Sequence, residues 1–329
     1  MKAVVENYDT VMIGKHLERL FYINYIFEVL NYNVIGGKKN RAKMVVDAFK
    51  ETAPKEKLTD ENLLLAVNLG LCLEVFHAAY LIFDDIMDES PTRRGKPSWH
   101  KLDDVQLKAI NDSSMMEATI YKFIKKNFNH LPCYENIIDT LHTNILIITV
   151  GQYLDMIATD QDVLTFTMEQ YRKIVIHKAS NYTIYTPTKL GQILAGKEDV
   201  HCEKAKNILY EMGAFFQIQD DFLDCYGDPK VTGKMGTDIQ DGKCTWLVVT
   251  FLQRANSAQK DILKKFYGKK DEESVARIKQ LYEDVGLREA YRNYENTAYK
   301  SIKRAIQETN GIPKKMCEGL MDKIYKRKF

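Results

Sequence analysis

Residues 59–99 read TDENLLLAVNLGLCLEVFHAAYLIFDDIMDESPTRRGKPSW. Thr59 is a good N-cap residue, and Asp60 and Glu61 follow where a helix dipole favours acids. Leu63, Leu64, Leu65, Val67, Leu69, Leu71, Leu73, Val75, Phe76, Tyr80, Leu81, Ile82 and Phe83 leave almost no polar face. A helix that is apolar all round is a buried one. Glu74 and His77 interrupt the run and Asp84 ends it, which argues against a membrane span. The stretch therefore predicts a long core helix, stopped by Ser90-Pro91.

That helix ends in Asp84, Asp85 and Asp88. Asp84 and Asp88 are one turn apart and share a face. At the negative pole of the dipole each repulsion costs about 0.3–1 kcal/mol. A solvated acidic end is the plain reading. The alternative is a hard cation with oxygen ligands, and Mg²⁺ shared with a phosphate is the usual one.

A second copy favours the cation. Residues 211–229 read EMGAFFQIQDDFLDCYGDP, so another apolar helix ends in D-D-x-x-D as Asp220, Asp221 and Asp224. Gly227 and Pro229 stop it. Two such clusters facing across a cavity would hold metals between them, with a diphosphate filling the remaining coordination positions.

The rest of the chain reads as helix. Its 329 residues contain only seven prolines and few runs of alternating polarity. Helical spacing runs through Leu17, Leu20, Ile23, Ile26, Phe27 and Leu30, then through residues 113–160 with a break at Asn129-His130-Leu131-Pro132, and again over 255–329. In the middle helix Gln152 and Asp155 read as buried polar groups of a core. The loop NVIGGKKNRA puts Gly36 and Gly37 beside Lys38, Lys39 and Arg41, an anion site or an exposed basic turn without Walker spacing. Arg93 and Arg94 follow the first acid cluster and suit phosphate oxygens or the aspartates themselves. Lys234, Asp238 and Lys243 lie in a long Gly-rich loop after the second cluster. The chain ends in the basic KIYKRKF.

Composition sets outer limits. The chain is 45% apolar and 28% charged, ordinary for a globular protein. A net charge of +2 argues against a general nucleic-acid binder. The six cysteines form no C-x-x-C pair, which predicts reduced thiols and no zinc site. Neither a signal peptide nor a stop-transfer segment is evident, so the expected location is cytoplasmic, or an organelle if a targeting segment precedes these residues. No linker or composition shift divides the chain, so residues 1–329 are expected to form one domain.

The pairing of DDIMDESPTRRG with FQIQDDFLDCYGDPKVTGKMGTDIQDGKCTWLVV resembles the all-trans isoprenyl diphosphate synthases, above all the eukaryotic farnesyl diphosphate synthases. GGKKNR, GQYLDM, LQRA and the basic C-terminus extend the resemblance over almost the whole chain. It implies an all-α single large helical bundle around a deep central cavity, a polyprenyl synthase domain that forms a homodimer. It implies three Mg²⁺ ions, replaceable by Mn²⁺ or Co²⁺, on Asp84, Asp88, Asp220 and Asp224, with Asp85 and Asp221 supporting the set. Arg93, Lys178, Lys234 and Lys243 would serve the allylic diphosphate. Lys38, Arg41, His77, Arg94 and Arg327 would serve isopentenyl diphosphate. Gln217 and the backbone oxygen of Lys178 would stabilise the allylic cation. No nucleic acid and no transmembrane segment are implied.

Three positions depart from the pattern. His77 stands where eukaryotic farnesyl enzymes usually have glutamine, and Ala179 where a threonine hydroxyl faces the cation. Ala79-Tyr80 replaces a pair of large aromatics, so Phe76, Ala79 and Tyr80 become the chain-length residues. The expected product is farnesyl or geranyl diphosphate, with geranylgeranyl diphosphate as an alternative. A terpene synthase would keep the aspartates and lose the isopentenyl site. A non-enzymatic partner subunit would not need two complete metal motifs.

Overall fold

The Thr59 hydroxyl accepts from the Asn62 amide and starts the longest helix among the described residues, Asp60–Met87. Its last helical residue is Met87, and Asp88, the last acid of the run, leaves helical geometry with a φ of −90° and a ψ of 2°. The computed structural model describes residues 23–197, 203–233 and 235–327. The helical spacing expected through Leu17 and Leu20, and the position of Lys234, lie outside these.

The described residues group into two compact units, 23–141 with 187–197 and 142–186 with 203–327. In the first, α1 (Ile23–Val34), α2 (Asn40–Thr52), α3 (Asp60–Met87) and α4 (Lys108–Phe128) are followed by the start of α5 (Tyr134–Thr159). Helix α3 packs against both α2 and α4. Long and apolar enough to cross a membrane, it has 78% of its most apolar window buried in the protein, as a core helix should. Glycine permits a close crossing: a Cβ on Gly70 would lie 2.7 Å from Ala42 Cα.

The second unit continues with α6 (Met168–Val175), a π-helical stretch (Ile176–Tyr185) and α7 (Thr186–Leu194), whose residues from Pro187 onward belong to the first unit. Then come α8 (Glu203–Tyr226), the single turn α9 (Pro229–Thr232), α10 (Trp246–Arg254), α11 (Ser257–Phe266), α12 (Glu272–Asp284), α13 (Leu287–Glu308) and α14 (Lys314–Ile324). Helix α8 packs on the π stretch, α13, α10 and α6. Trp246, Phe251, Tyr282 and Tyr291 fill the core of this unit.

The all-α expectation holds among the described residues, with one small exception. Thr92–Arg93 (β1) and Lys96–Pro97 (β2) form an antiparallel ladder closed by Arg94 and Gly95. Both turn residues have positive φ, +54° and +73°, the backbone of a type I′ hairpin. No disulfide joins the five described cysteines.

Candidate functional site

In the first unit, one stripe of α3 carries Gly70, Glu74, His77, Leu81 and Asp84, at helical spacing, with the cap residue Asp88 following. Glu74 is buried, and its carboxylate accepts from the Ala42 amide at 3.0 Å. It thereby caps the N-terminus of α2, where amides are otherwise short of acceptors. Helix α2 starts at Asn40, so Arg41 belongs to its first turn and not to the basic loop that the sequence suggested. The cap fixes that turn beside His77. The loop before it keeps Gly36 and Lys39 at φ +90° and +50°.

The hairpin turns the two arginines to different tasks. Arg93 donates through Nε to Asp85 Oδ1 at 2.9 Å and through Nη2 to Asp84 Oδ2 at 3.2 Å. Burial pushes the Asp85 carboxyl up, and Arg93 opposes this only in part. Arg94 sits in left-handed backbone, a strain of about 1–3 kcal/mol for a non-glycine residue. Its Nη1 donates to the Asn33 carbonyl, and a Cβ on Gly37 would approach its Nη2 to 3.0 Å. A cavity of about 120 Å³ beside the hairpin is lined by Tyr32, Arg93, Arg94 and Trp99, among others. Burial, with Arg41, Arg94 and Arg93 all acting on the ring, holds His77 well below its ordinary value. It is a neutral imidazole among three guanidinium groups.

The residues expected to set chain length lie on α3 as well. Tyr80 stacks on Phe76 with ring centroids 4.6 Å apart, and Phe83 meets Tyr80 edge-on. Ala79 is fully buried and its carbonyl accepts from Ser113 Oγ of α4 at 2.7 Å. Burial first, then Glu117 and Tyr80, push the Tyr121 hydroxyl of α4 up, which makes Tyr121 a neighbour of Tyr80 that spacing within α3 does not reveal.

In the second unit, α8 ends in the second cluster. Asp221 is buried and accepts from Tyr171 Oη at 2.7 Å, the Trp246 amide at 2.9 Å and Gln217 Nε2 at 2.9 Å. The Trp246 amide belongs to the first turn of α10, so a helix N-terminus faces this carboxylate. Burial still pushes Asp221 up. Asp224 Oδ2 accepts from the Asp238 amide at 3.0 Å, which ties the following loop to the cluster. Gly236 lets that loop close on it, since a Cβ there would lie 1.8 Å from the Asp224 carbonyl.

Lys178 and Lys243 meet on one residue that the sequence reading left in the core. Asp155 Oδ2 accepts from Lys178 Nζ at 2.7 Å and from Lys243 Nζ at 2.9 Å. Lys178 and Ala179 belong to the π stretch. This wide helix is pressed by two glycines: a Cβ on Gly151 of α5 would lie 2.2 Å from the Lys178 nitrogen, and one on Gly213 of α8 would lie 2.5 Å from Ser180 Cα. π turns inside α-helices recur at functional sites.

The C-terminal segment is seated rather than loose. Arg327 donates to Gln219 Oε1, the Phe216 carbonyl and Asp220 Oδ1 at 3.1, 3.0 and 3.1 Å, and lies over the Phe216 ring. Buried Gln219 donates in turn to Glu295 Oε1 at 2.9 Å and to the Ile324 carbonyl at 2.8 Å.

The donor set fits hard divalent cations. Both clusters offer carboxylate oxygen only, and Asp84 and Asp220 keep side-chain exposures of 22% and 38%. Asp85 and Asp221 are engaged by protein donors. Among the described residues no three His, Cys, Asp or Glu side chains converge into a cage. Mg²⁺ characteristically takes one or two carboxylates and completes its octahedron with water and substrate phosphate.

Comparison with known proteins follows the same lines. A family model described as polyprenyl synthetase matches residues 23–285. The farnesyl pyrophosphate synthase of Gallus gallus is 44% identical over 306 residues, covering 91% of this chain and 83% of its own. That of Homo sapiens is 45% identical over 307 residues, covering 92% and 73%. Among solved structures, T. brucei farnesyl diphosphate synthase complexed with risedronate has a TM-score of 0.92 at 30% identity, covering 99% of this chain and 98% of that one.

Proposed function

Because the chain belongs to the polyprenyl synthetase family, we propose that it condenses isopentenyl diphosphate with dimethylallyl or geranyl diphosphate, and that farnesyl diphosphate is its main product. It is a short-chain prenyltransferase acting on isoprenoid diphosphates, and membership of the family implies a divalent metal. The observation that carries the reading is the pair of helices ending in D-D-x-x-D, each attended by an arginine: Arg93 on Asp84 and Asp85, Arg327 on Asp220.

The residues divide the work. Asp84, Asp88, Asp220 and Asp224 hold three Mg²⁺ ions, and Asp85 and Asp221 brace them. What the cations supply there, when bound, is Lewis-acid withdrawal of charge from the leaving diphosphate. Arg93, Lys178, Lys234 and Lys243 bind that diphosphate, and their charges favour breaking the allylic C–O bond. The Gln217 amide and the Lys178 carbonyl turn dipoles toward the allylic cation. Lys38, Arg41, His77, Arg94 and Arg327 hold isopentenyl diphosphate, whose double bond attacks the cation. A proton then leaves the new tertiary cation for the released diphosphate. No protein nucleophile is required.

The uninterrupted family match over 23–285 supports the reading of the chain as one polyprenyl synthase domain. Homodimer formation is supported by the exposed apolar stripe Leu146, Val150, Tyr153 and Met156 on α5, which sedimentation would test. The catalytic reading is tested with geranyl and isopentenyl diphosphates in Mg²⁺ buffer and in excess chelator, with Asp84→Ala and Asp220→Ala alongside. Turnover should vanish in chelator and fall by several orders of magnitude in each variant. Full turnover in chelator would overturn it.

A further inference from the structure

Two lysines share one carboxylate oxygen in the second unit. Lys178 and Lys243 both donate to Asp155 Oδ2, at 2.7 and 2.9 Å, so their ammonium nitrogens are no farther apart than the sum of those distances. The trio carries one net positive charge and is largely buried, with side-chain exposures of 27% for Lys178, 10% for Lys243 and 9% for Asp155. Burial alone would push the Asp155 carboxyl up, but the two ammonium groups more than offset it, and it stays charged.

The backbone is built to make this meeting. Gly151 and Asp155 lie one turn apart on the same face of α5. The bare Gly151 brings α5 against the backbone of His177 and Lys178. One turn on, Asp155 then reaches the Lys178 ammonium. Lys243 is fixed through its own backbone: its amide donates to the Asp238 carbonyl at 3.0 Å, and its carbonyl accepts from Tyr267 Oη at 2.7 Å. One lysine would suffice to neutralise a buried carboxylate. The second is held on the same oxygen, so one carboxylate sets the spacing of two ammonium donors.

We propose that Asp155 is a positioning residue for the allylic diphosphate, aligning Lys178 and Lys243 as a fixed pair of ammonium donors. This rests on the reading that both lysines serve that diphosphate. The proposal makes a claim of sign. If Asp155 only neutralised the lysines, Asp155→Asn would add net positive charge and tighten anion binding. If Asp155 aligns them, the same change weakens binding although the site becomes more positive.

The experiment uses the full chain as wild type, Asp155→Asn, Asp155→Glu, Lys243→Ala and the Asp155→Asn/Lys243→Ala double variant. KM is measured for geranyl and isopentenyl diphosphates, Kd for inorganic pyrophosphate by calorimetry, and thermal melting for each protein. Asp155→Asn should raise the KM for geranyl diphosphate about tenfold, since a displaced binding group loses most of its value, with the KM for isopentenyl diphosphate within about twofold. Asp155→Glu should recover part of the loss. In the double variant the Asn change should add little to Lys243→Ala, because the pair is already broken. Pyrophosphate bound as tightly or more tightly by Asp155→Asn would overturn the proposal, as would an equal rise in both KM values. If Lys243→Ala weakens the allylic substrate but Asp155→Asn does not, the positioning role fails and the assignment of the lysine stands. If Lys243→Ala leaves the allylic KM unchanged, that assignment fails and the proposal falls with it.

Discussion

Arg327 Nη2 donates to Asp220 Oδ1 at 3.1 Å, so the C-terminal arginine rests on the first aspartate of the second motif. A guanidinium and a divalent cation compete for the same oxygen. Arg327→Ala should therefore bind Mn²⁺ more tightly in the absence of substrate, by about two- to fivefold for a partly exposed ion pair. Electron paramagnetic resonance titration of free Mn²⁺ reads this directly. Equal or weaker binding would mean that the pair does not restrain Asp220. The same variant should raise the KM for isopentenyl diphosphate.

His77 makes the fold sensitive to acid. Its folded-state value lies well below the ordinary 6.5, through burial first and the three arginines second. Above 6.5 both the folded and the unfolded chain hold a neutral imidazole, and the stability is fully present. As the pH falls below 6.5 the unfolded chain takes up a proton that the folded one refuses, and stability is lost. Melting temperatures between about pH 7.5 and 5.5 should thus fall less steeply in His77→Gln than in the wild type. Parallel curves would remove His77 from this role.

The Phe76–Tyr80 stack predicts the direction of product change. Tyr80→Ala should lengthen the product toward geranylgeranyl diphosphate, and Tyr80→Ala with Phe76→Ala should lengthen it further. Ala79→Phe should behave differently. Ala79 is fully buried, with Ser113 on its carbonyl, so a ring there overpacks and costs about 1–3 kcal/mol of stability. Chromatography of dephosphorylated products and a thermal melt separate the two effects. An unchanged product distribution in Tyr80→Ala would move the floor to another helix, and Tyr121 of α4 is the residue to change next.

Glu74 links the core to the basic turn. Arg41→Ala should raise the KM for isopentenyl diphosphate far more than that for the allylic substrate. Glu74→Gln weakens the cap on α2 by removing its charge, so it should shift the same KM in the same direction by less. Equal effects on both substrates would show that α2 does not serve one of them alone.

What the sequence made legible were features carried by local rules. The Thr59 cap, the ends of α3 and α8, the break after Phe128 and the pairing of Arg93 with aspartate all follow from residue type and spacing. What it hid depends on residues far apart in the chain. Asp155 looks like a core polar residue until the Gly151 contact brings Lys178 to it. The π turn at Ile176–Tyr185 has no periodicity of its own over so short a stretch. Glu74 looked like an interruption of an apolar run, and caps a different helix. The basic C-terminus shows only charge in the sequence, yet Gln219 holds the Ile324 carbonyl and Glu295 the Lys326 amide. The hairpin did leave a signal, since a glycine closes a two-residue turn between Arg93 and Lys96.

The most direct test of the prenyltransferase account follows geranyl diphosphate with and without radiolabelled isopentenyl diphosphate, in Mg²⁺ buffer, with separation of the dephosphorylated products. The account predicts that geranyl diphosphate is consumed only when isopentenyl diphosphate is present, and that the label appears in farnesol. Consumption of geranyl diphosphate alone, with a hydrocarbon or a cyclised alcohol as product, would contradict it.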